Sequence, residues 1–339
     1  VTKDAKRPKD EKESRQVDLF LDSLINAPIK DDRALMEFPF FSLQKPRLMD
    51  PIEYEDDEVQ IRVSPGERGV ATIWDKDVLI YVASLINDRI ERGLPVSRTV
   101  HFPAHDLLKL THRGTGKQAY ELLKDALFRL RSTTITTTIK SGGETKDRGF
   151  GWIDSFEIVR RERADGKMVM QAVEVTLNDW MFKAIVKDRR VLTISPSYFE
   201  IDGGLERRVY ELARKHCGHQ DEWRIGLERL AKKCGARSEL RFFKRDVLKI
   251  IERGSLPDYT IQMEQDIGRG RAGRITVVFE PRTKREQSTD SGTGREHSTE
   301  SRALPALERE QSTDSTAKPK RRNVSKTPKR TAKTATGTR

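Results

Sequence analysis

Between Thr72 and Glu280 the chain passes twice through one order of elements: helix, short helix, turn, amphipathic helix, then strands around a glycine-rich loop. Apolar faces recur every 3.6 residues in helices and every 2 in strands, so each change of period marks a boundary. In the first pass, "TIWDKDVLIYVASLINDRIERG" carries Trp74, Val78, Tyr81, Val82, Leu85 and Ile86 as a helical stripe that Gly93 ends. "RTVHF" reads as a short strand, and Pro103 opens the helix "PAHDLLKLT". After the turn "HRGTG", the helix "GKQAYELLKDALFRLRS" sets Ala119, Leu122, Leu123, Ala126, Leu127 and Leu130 on one face. "TTITTTI" is β-branched throughout, hence a strand. "KSGGETKDR" reads as a hairpin turn and "GFGWIDSFEIVRRE" as its returning strand. "KMVMQAVEVTL" is a third strand, and Asn178 caps the helix "NDWMFKAIVKD".

The second pass is shorter. "LERRVYELARKHCG" and "IGLERLAKKCG" read as helices ended by Gly218 and Gly235. "ARS" is a tight turn, and Ser238 is placed to cap "ELRFFKRDVLKIIERG". The alternating segments "YTIQMEQ" and "RITVVFE" flank the loop "DIGRGRAG". The expected fold class is α+β: two tandem winged helix-turn-helix modules, with "KSGGETKDR" and "DIGRGRAG" as the wings. The expected boundaries are a disordered arm at 1–16, an N-terminal extension at 17–70, modules at 71–190 and 191–281, and a disordered basic tail with short repeats at 282–339. A short helix is expected near Val17–Ile25.

The net charge is +12, and residues 282–339 hold 15 basic against 7 acidic side chains. From Lys318 onward there are 9 basic and no acidic residues. Such an excess points to a polyanion, most often nucleic acid. Two cysteines, Cys217 and Cys234, make no disulfide framework and fit a reducing compartment. "VTKDAKRPKDEKESRQ" lacks the apolar core of a signal peptide, and no apolar run approaches the ~18 residues of a membrane span. The expectation is a cytoplasmic, DNA-associated protein with no membrane partner.

Helix-turn-helix readers place their second helix in the major groove, with its N-terminal residues on base edges. The outer face of the helix beginning near Gly116 carries Lys117, Gln118, Glu121, Lys124, Asp125 and Phe128. Its mixed signs suit a protein contact or edge-on backbone binding. Arg113, Thr115, Lys117 and Gln118 at its start are DNA-contact candidates. The helix after Ser238 turns Leu240, Phe243, Val247, Ile250 and Ile251 inward, and Arg237, Ser238, Arg241, Lys244 and Arg245 outward. Arginine can bond guanine O6 and N7 in bidentate fashion, and lysine can neutralise phosphate. Arg269, Arg271 and Arg274 in the second wing are candidates for phosphate or minor-groove contact. The bland alternative is a solvated basic face on an ordinary helix.

Other chemistry fits less well. "RGFGWIDSF" at 148–156 follows the RNA-recognition signature until Ser155, where a third aromatic belongs, and the region that should supply the partner strand is helical. Phe150, Trp152 and Phe156 alternate and are expected on the core face. "THRGTGK" lacks phosphate-loop spacing, since only Thr115 separates its glycines and Gln118 follows Lys117. Tyr120 and Lys124 resemble the Tyr-x-x-x-Lys of rolling-circle nicking enzymes, but the metal-binding histidine strand is missing. No catalytic residue is expected, and Tyr120 reads as helix-edge packing. His216, Cys217, His219 and Cys234 match no standard zinc spacing, so neither metal nor cofactor is expected. Glu206, Arg207, Arg208, Glu211 and Arg214 form a charged helix face, open between solvated ion pairs and phosphate positioning by Arg207, Arg208, Arg214 or Lys215.

"ATIWDKDVLIYVASLI", "SRTVHFPAHDLLKLTHRGTG", "AYELLKDALFRLRSTTI", "GFGWIDSF", "VEVTLNDWMF", "LERRVYELARKHCGHQ" and "LRFFKRDVLKI" together resemble the replication initiator protein A family of bacterial plasmids, over about residues 17–265. The resemblance implies a non-enzymatic initiator that binds repeated sequences, called iterons, in double-stranded plasmid origin DNA. It further implies origin opening, recruitment of the host replicative helicase and host initiator, a monomer–dimer balance, and repression of its own promoter. A winged-helix repressor without initiation activity is the alternative. The first module would serve dimerisation and backbone contacts, and the second would read the iteron.

Three near-copies, "REQSTDS" (285–291), "REHSTES" (295–301) and "REQSTDS" (309–315), punctuate the tail. They are either a drifted disordered repeat or the translation of origin repeats lying within the gene. The final basic run reads as a non-specific DNA arm. Deleting residues 318–339 should lower affinity for all DNA and flatten the dependence of binding on salt, which a salt titration by fluorescence anisotropy would measure.

Overall fold

The computed structural model describes residues 24, 27–57, 59–141, 144–162, 166, 168–218, 220–265 and 274–282. The arm at 1–16, most of the helix expected near Val17–Ile25, the loop 266–273 and the tail from 283 lie outside the described residues. The extension expected at 17–70 holds β1 (Lys30–Asp32), α1 (Arg33–Glu37), β2 (Ile52–Glu55) and β3 (Val59–Ser64). Then α2 (Lys76–Glu91), β4 (Thr99–Pro103), α3 (Ala104–Leu110) and α4 (Lys117–Ser132) follow where the periodicity places them. Every residue of α2 from Lys76 to Asn87 is buried, so its covered surface is wider than the stripe suggests. A helix apolar on most sides belongs inside.

The glycine-rich stretch departs from expectation. β5 (Thr134–Ser141) and β6 (Glu144–Gly151) form a hairpin, but β7 (Ile153–Glu162) leaves it to pair with β8 (Met168–Leu177). "GFGWIDSFEIVRRE" is therefore two strands in two sheets, ordered β2–β3–β5–β6 and β4–β8–β7. The break is held at Trp152, which is fully buried, stacked on Phe41 at 4.7 Å and edge-on to Phe40 at 5.3 Å. The Asn178 amide donates to the carbonyls of Gly151 (2.7 Å) and Trp152 (3.2 Å), and Trp152 N–H donates to Leu130. These bonds occupy backbone groups that would otherwise extend the ladder. β4 pairs with β8, so β7 and β8 share its sheet, whereas the β5–β6 hairpin carrying "KSGGETKDR" belongs to the other sheet. Phe150, Trp152 and Phe156 all pack against the core, as expected.

α5 (Asp179–Val186) starts as expected, with Asn178 Oδ1 accepting from Met181 N–H at 2.7 Å. β9 (Val191–Thr193) pairs with β1, and a 3-10 turn at Pro196–Glu200 leads into α6 (Gly204–His216). β10 (Trp223–Gly226), α7 (Leu227–Cys234), α8 (Leu240–Arg253), β11 (Tyr259–Gln265) and β12 (Ile275–Pro281) complete the described chain. β10 has no counterpart in the sequence expectation; it pairs with β12 in the order β10–β12–β11.

Two hydrophobic cores result. Tyr81, Leu107, Leu127 and Val175 lie in the first, and Tyr210, Leu230, Phe243 and Phe279 in the second. Neighbouring residues of the α1 strap divide between them, Leu35 to the first and Met36 to the second. On α2, Ile80 joins the second core while its neighbours join the first.

Charge is buried where these elements meet. Lys76 Nζ, fully buried, lies 2.6 Å from Asp31 and 2.7 Å from Glu211. Glu211 also accepts from Tyr198 at 2.8 Å and pairs with Arg208 at 3.1 Å. Arg208 donates to the carbonyls of Met36 (3.0 Å), Glu37 (2.9 Å) and Lys233 (2.8 Å), satisfying the end of α1. Arg207 pairs with Asp77 at 2.7 Å and donates to the Ile201 and Phe199 carbonyls. Glu206, Arg207, Arg208 and Glu211 are thus buried, which corrects both expected readings of the α6 face: they are neither solvated pairs nor available to phosphate. Arg214 donates to the Thr193 carbonyl, and Lys215 pairs with Glu37.

Replacing Lys76 with methionine leaves two buried carboxylates facing each other and should cost about 3–5 kcal/mol, read from urea unfolding. Burial pushes the Asp31 carboxyl from 3.8 up to about 7 despite the lowering effect of Lys76. A raised folded-state value stabilises fully below the unfolded value and loses that contribution as pH rises through about 7. The native protein should therefore lose stability relative to Asp31→Asn between pH 5 and pH 8, measured as the difference in urea midpoint.

Candidate nucleic-acid interface

α7, the turn 235–239 and α8 present the basic face. Gly235 ends α7 with φ 66°, and a Cβ there would lie 2.8 Å from Pro39 Cβ, so the turn needs glycine on both counts. Glu239 occupies the N-cap of α8 and makes no side-chain cap bond. Ser238 therefore does not cap the helix, because the chain is still extended at Glu239 (ψ 148°) and the first turn begins one residue later. Phe243, Val247 and Ile250 are buried as expected and Ile251 is half-buried, but Leu240 is 37% exposed and drops out of the core face.

The outward side carries Arg237, Ser238, Arg241 and Arg245, all exposed, and half-buried Lys244. Phe242, 39% exposed, sits beneath two of these cations, with the Arg241 and Arg245 guanidinium carbons 4.7 and 5.3 Å from its ring centroid. The ring props both arginines on the surface by cation–π attraction. Its spacing of one residue after Arg241 and three before Arg245 is the signal for this role. The face is less purely cationic than the sequence suggests. Arg241 pairs with Glu239 at 2.9 Å, Arg245 with Asp246 at 3.2 Å and Arg237 with Asp50 at 3.3 Å. Such exposed pairs are worth about 0–1 kcal/mol, so phosphate or a base edge can displace the carboxylates.

Arg274 is exposed at the start of β12 with its guanidinium beside Gly226, at the head of α7. Arg269 and Arg271 lie outside the described residues. In the first unit, Thr115, Lys117 and Gln118 are exposed at the head of α4, where Gly114 and Gly116 stand in open space. Arg113 points elsewhere: its guanidinium donates to Asp77 Oδ2 at 2.9 Å and to the Trp74 carbonyl. It buttresses the α2 network, which corrects its place among the DNA-contact candidates. Further along α4, Arg68 lies over Phe128 at 4.1 Å and pairs with Asp125, so part of the mixed-charge face is already engaged.

Among the described residues, no three His, Cys, Asp or Glu side chains gather as a metal site would require. Cys234 is fully buried, and burial pushes its thiol up to about 12, which makes it unreactive at neutral pH. No described helix is long and apolar enough to cross a membrane.

The family described as RPA, replication initiator protein A, matches residues 30–261. The chain belongs to this family. The matched span runs from β1 to the middle of β11, so it includes both helix pairs and the charged junction. A putative replication protein of Wigglesworthia glossinidia brevipalpis is 37% identical over 229 residues, covering 67% of this chain and 82% of that protein. Among solved structures, domains 2 and 3 of RctB superpose with a TM-score of 0.56 at 13% identity, covering 74% of this chain and 98% of that one. The Pi initiator protein, solved in complex with iteron DNA, is looser, with a TM-score of 0.44 and 18% identity over 62% of this chain and 92% of that one.

Proposed function

We propose that this family member is a plasmid replication initiator that recognises iterons through α8. On this reading α3–α4 with β4–β8–β7, and α7–α8 with β10–β12–β11, are two winged helices in tandem. α8 enters the major groove, Arg241 and Arg245 address base edges, and Arg237, Ser238, Lys244 and Arg274 hold the backbone. Thr115, Lys117 and Gln118 at the head of α4 contact the flanking phosphates. Origin opening, engagement of host helicase and initiator, and promoter repression by a dimer would follow from occupancy of the array.

The observation that carries the reading is the exposed Arg241–Phe242–Arg245 cluster on α8, which follows α7 after a short turn, in a chain that belongs to a replication initiator family. Phosphate contacts position a protein on the duplex, whereas base contacts specify the site. Arg241→Ala should therefore cost about 1–3 kcal/mol on the specific site and much less on random DNA. Footprinting of the native protein over its own gene and flanks locates that site: evenly spaced protection over direct repeats is expected. Protection of a single promoter site would replace the initiator by a repressor.

A further inference from the structure

A second dense set of cations lies away from α8. Lys45, Arg47, Arg68 and Arg129 line a hollow of about 300 Å3 with Val70, Thr72 and Asp125. Two of the four are committed to carboxylates. Arg129 makes a two-pronged bond to Asp75 at 2.7 and 2.8 Å, and Arg68 pairs with Asp125. Lys45 and Arg47 are exposed, and among the described residues neither meets a carboxylate. Lys45 Nζ stands 5.4 Å from the Trp74 ring centroid, and Arg47 Nε is 3.1 Å from the Met49 sulfur. Four cations therefore face two carboxylates, and the two uncompensated ones, Lys45 and Arg47, are exposed.

The backbone that carries them is fixed. Val70 N–H donates to the Leu48 carbonyl at 2.9 Å, and Ile73 N–H to that of Ser42 at 2.9 Å. Gly69, with φ 86°, lets the two segments touch: a Cβ there would lie 2.7 Å from Arg47 Cγ and 2.9 Å from the Leu48 carbonyl oxygen. The same segment ends at Asp50, whose carboxylate is 3.3 Å from Arg237 at the entry to α8. Lys45 and Asp50 are five positions apart, a reach of at most about 18 Å at about 3.3–3.6 Å per residue. That is roughly half of one ~34 Å turn of duplex. Each DNA strand offers a phosphate about every 3.4 Å along the axis. The 45–47 segment therefore lies close enough to the entry of α8 for one duplex to span both.

We propose that Lys45 and Arg47, backed by Arg68 and Arg129, form a second phosphate-contact site on the same DNA that α8 engages. The proposal rests on the α8 reading and adds a sequence-independent anchor from the N-terminal extension. The recognised chemistry is the phosphodiester oxygen, which inorganic phosphate shares. The anchor fixes the approach of the duplex to α8, so it sets affinity and register without choosing the sequence.

The test is the full chain carrying Lys45→Ala and Arg47→Ala together. Both side chains are exposed, so its melting temperature should match that of the native protein. Affinity should fall by the same factor on the specific site and on random DNA, and the slope of log affinity against log salt should shrink by about 2, near 1 per lost contact. Arg47→Lys, which keeps the charge, should restore most of its share of the slope. An unchanged slope and affinity, while Arg241→Ala still weakens the specific site, overturns this anchor and leaves the α8 reading standing. If neither variant alters DNA binding, both fall. Inorganic phosphate, compared with chloride at equal ionic strength, separates the sources. A phosphate-specific thermal shift that the double variant abolishes, with the DNA slope unchanged, makes the hollow a small-anion site and overturns the DNA assignment.

Discussion

Lys76 stands fully buried between Asp31 and Glu211, and the arrangement of the two cores follows from how that charge is satisfied. An ammonium without partners inside a protein costs several kcal/mol, so Lys76 is tolerated only with both carboxylates in place. Asp31 comes from β1, Lys76 from α2 and Glu211 from α6. Three distant segments must therefore arrive together. Arg208 extends the arrangement by binding the carbonyls at the end of α1, and Arg207 and Arg113 close it from the other side on Asp77. Such a network is weak evidence for stability against an apolar alternative, but it is geometrically exacting. It joins the strap, α2 and α6 through groups from all three.

That docking ties distant parts of the chain together. The strap is the physical link: it pairs with β9, buries Leu35 and Met36 in different cores, packs Phe41 on Trp152, and runs on to meet Arg237 through Asp50. The turn leading into α8 thereby meets a segment nearly two hundred residues away in sequence.

The exposed arginines of α8 are held only loosely. Their guanidinium groups rest on an exposed ring and on exchangeable carboxylates, and neither holds them tightly. Arginines so held are partly ordered without having their donors firmly committed. The buried arginines of α6 are the opposite case. They have similar neighbours in sequence, yet their donors are spent on backbone carbonyls and buried carboxylates.

The sequence by itself determined the elements. Period, capping and punctuation placed α2, α3, α4, α5, α6, α7 and α8 within a few residues, because these signals act within one or two turns of chain. It also set the polyanion preference and the outward basic face of α8, since charge and helical phase are local properties. Tertiary structure alone decided the rest. The strand through "GFGWIDSFEIVRRE" changes sheet at Trp152, and a period of 2 is the same on either side of that change. β10 is too short to show a period and exists by pairing with β12. Arg207 and Arg208 look like surface cations in sequence, but burial depends on what other segments pack over them. The solvent that a charged side chain meets is a property of the whole fold, and local pattern does not encode it.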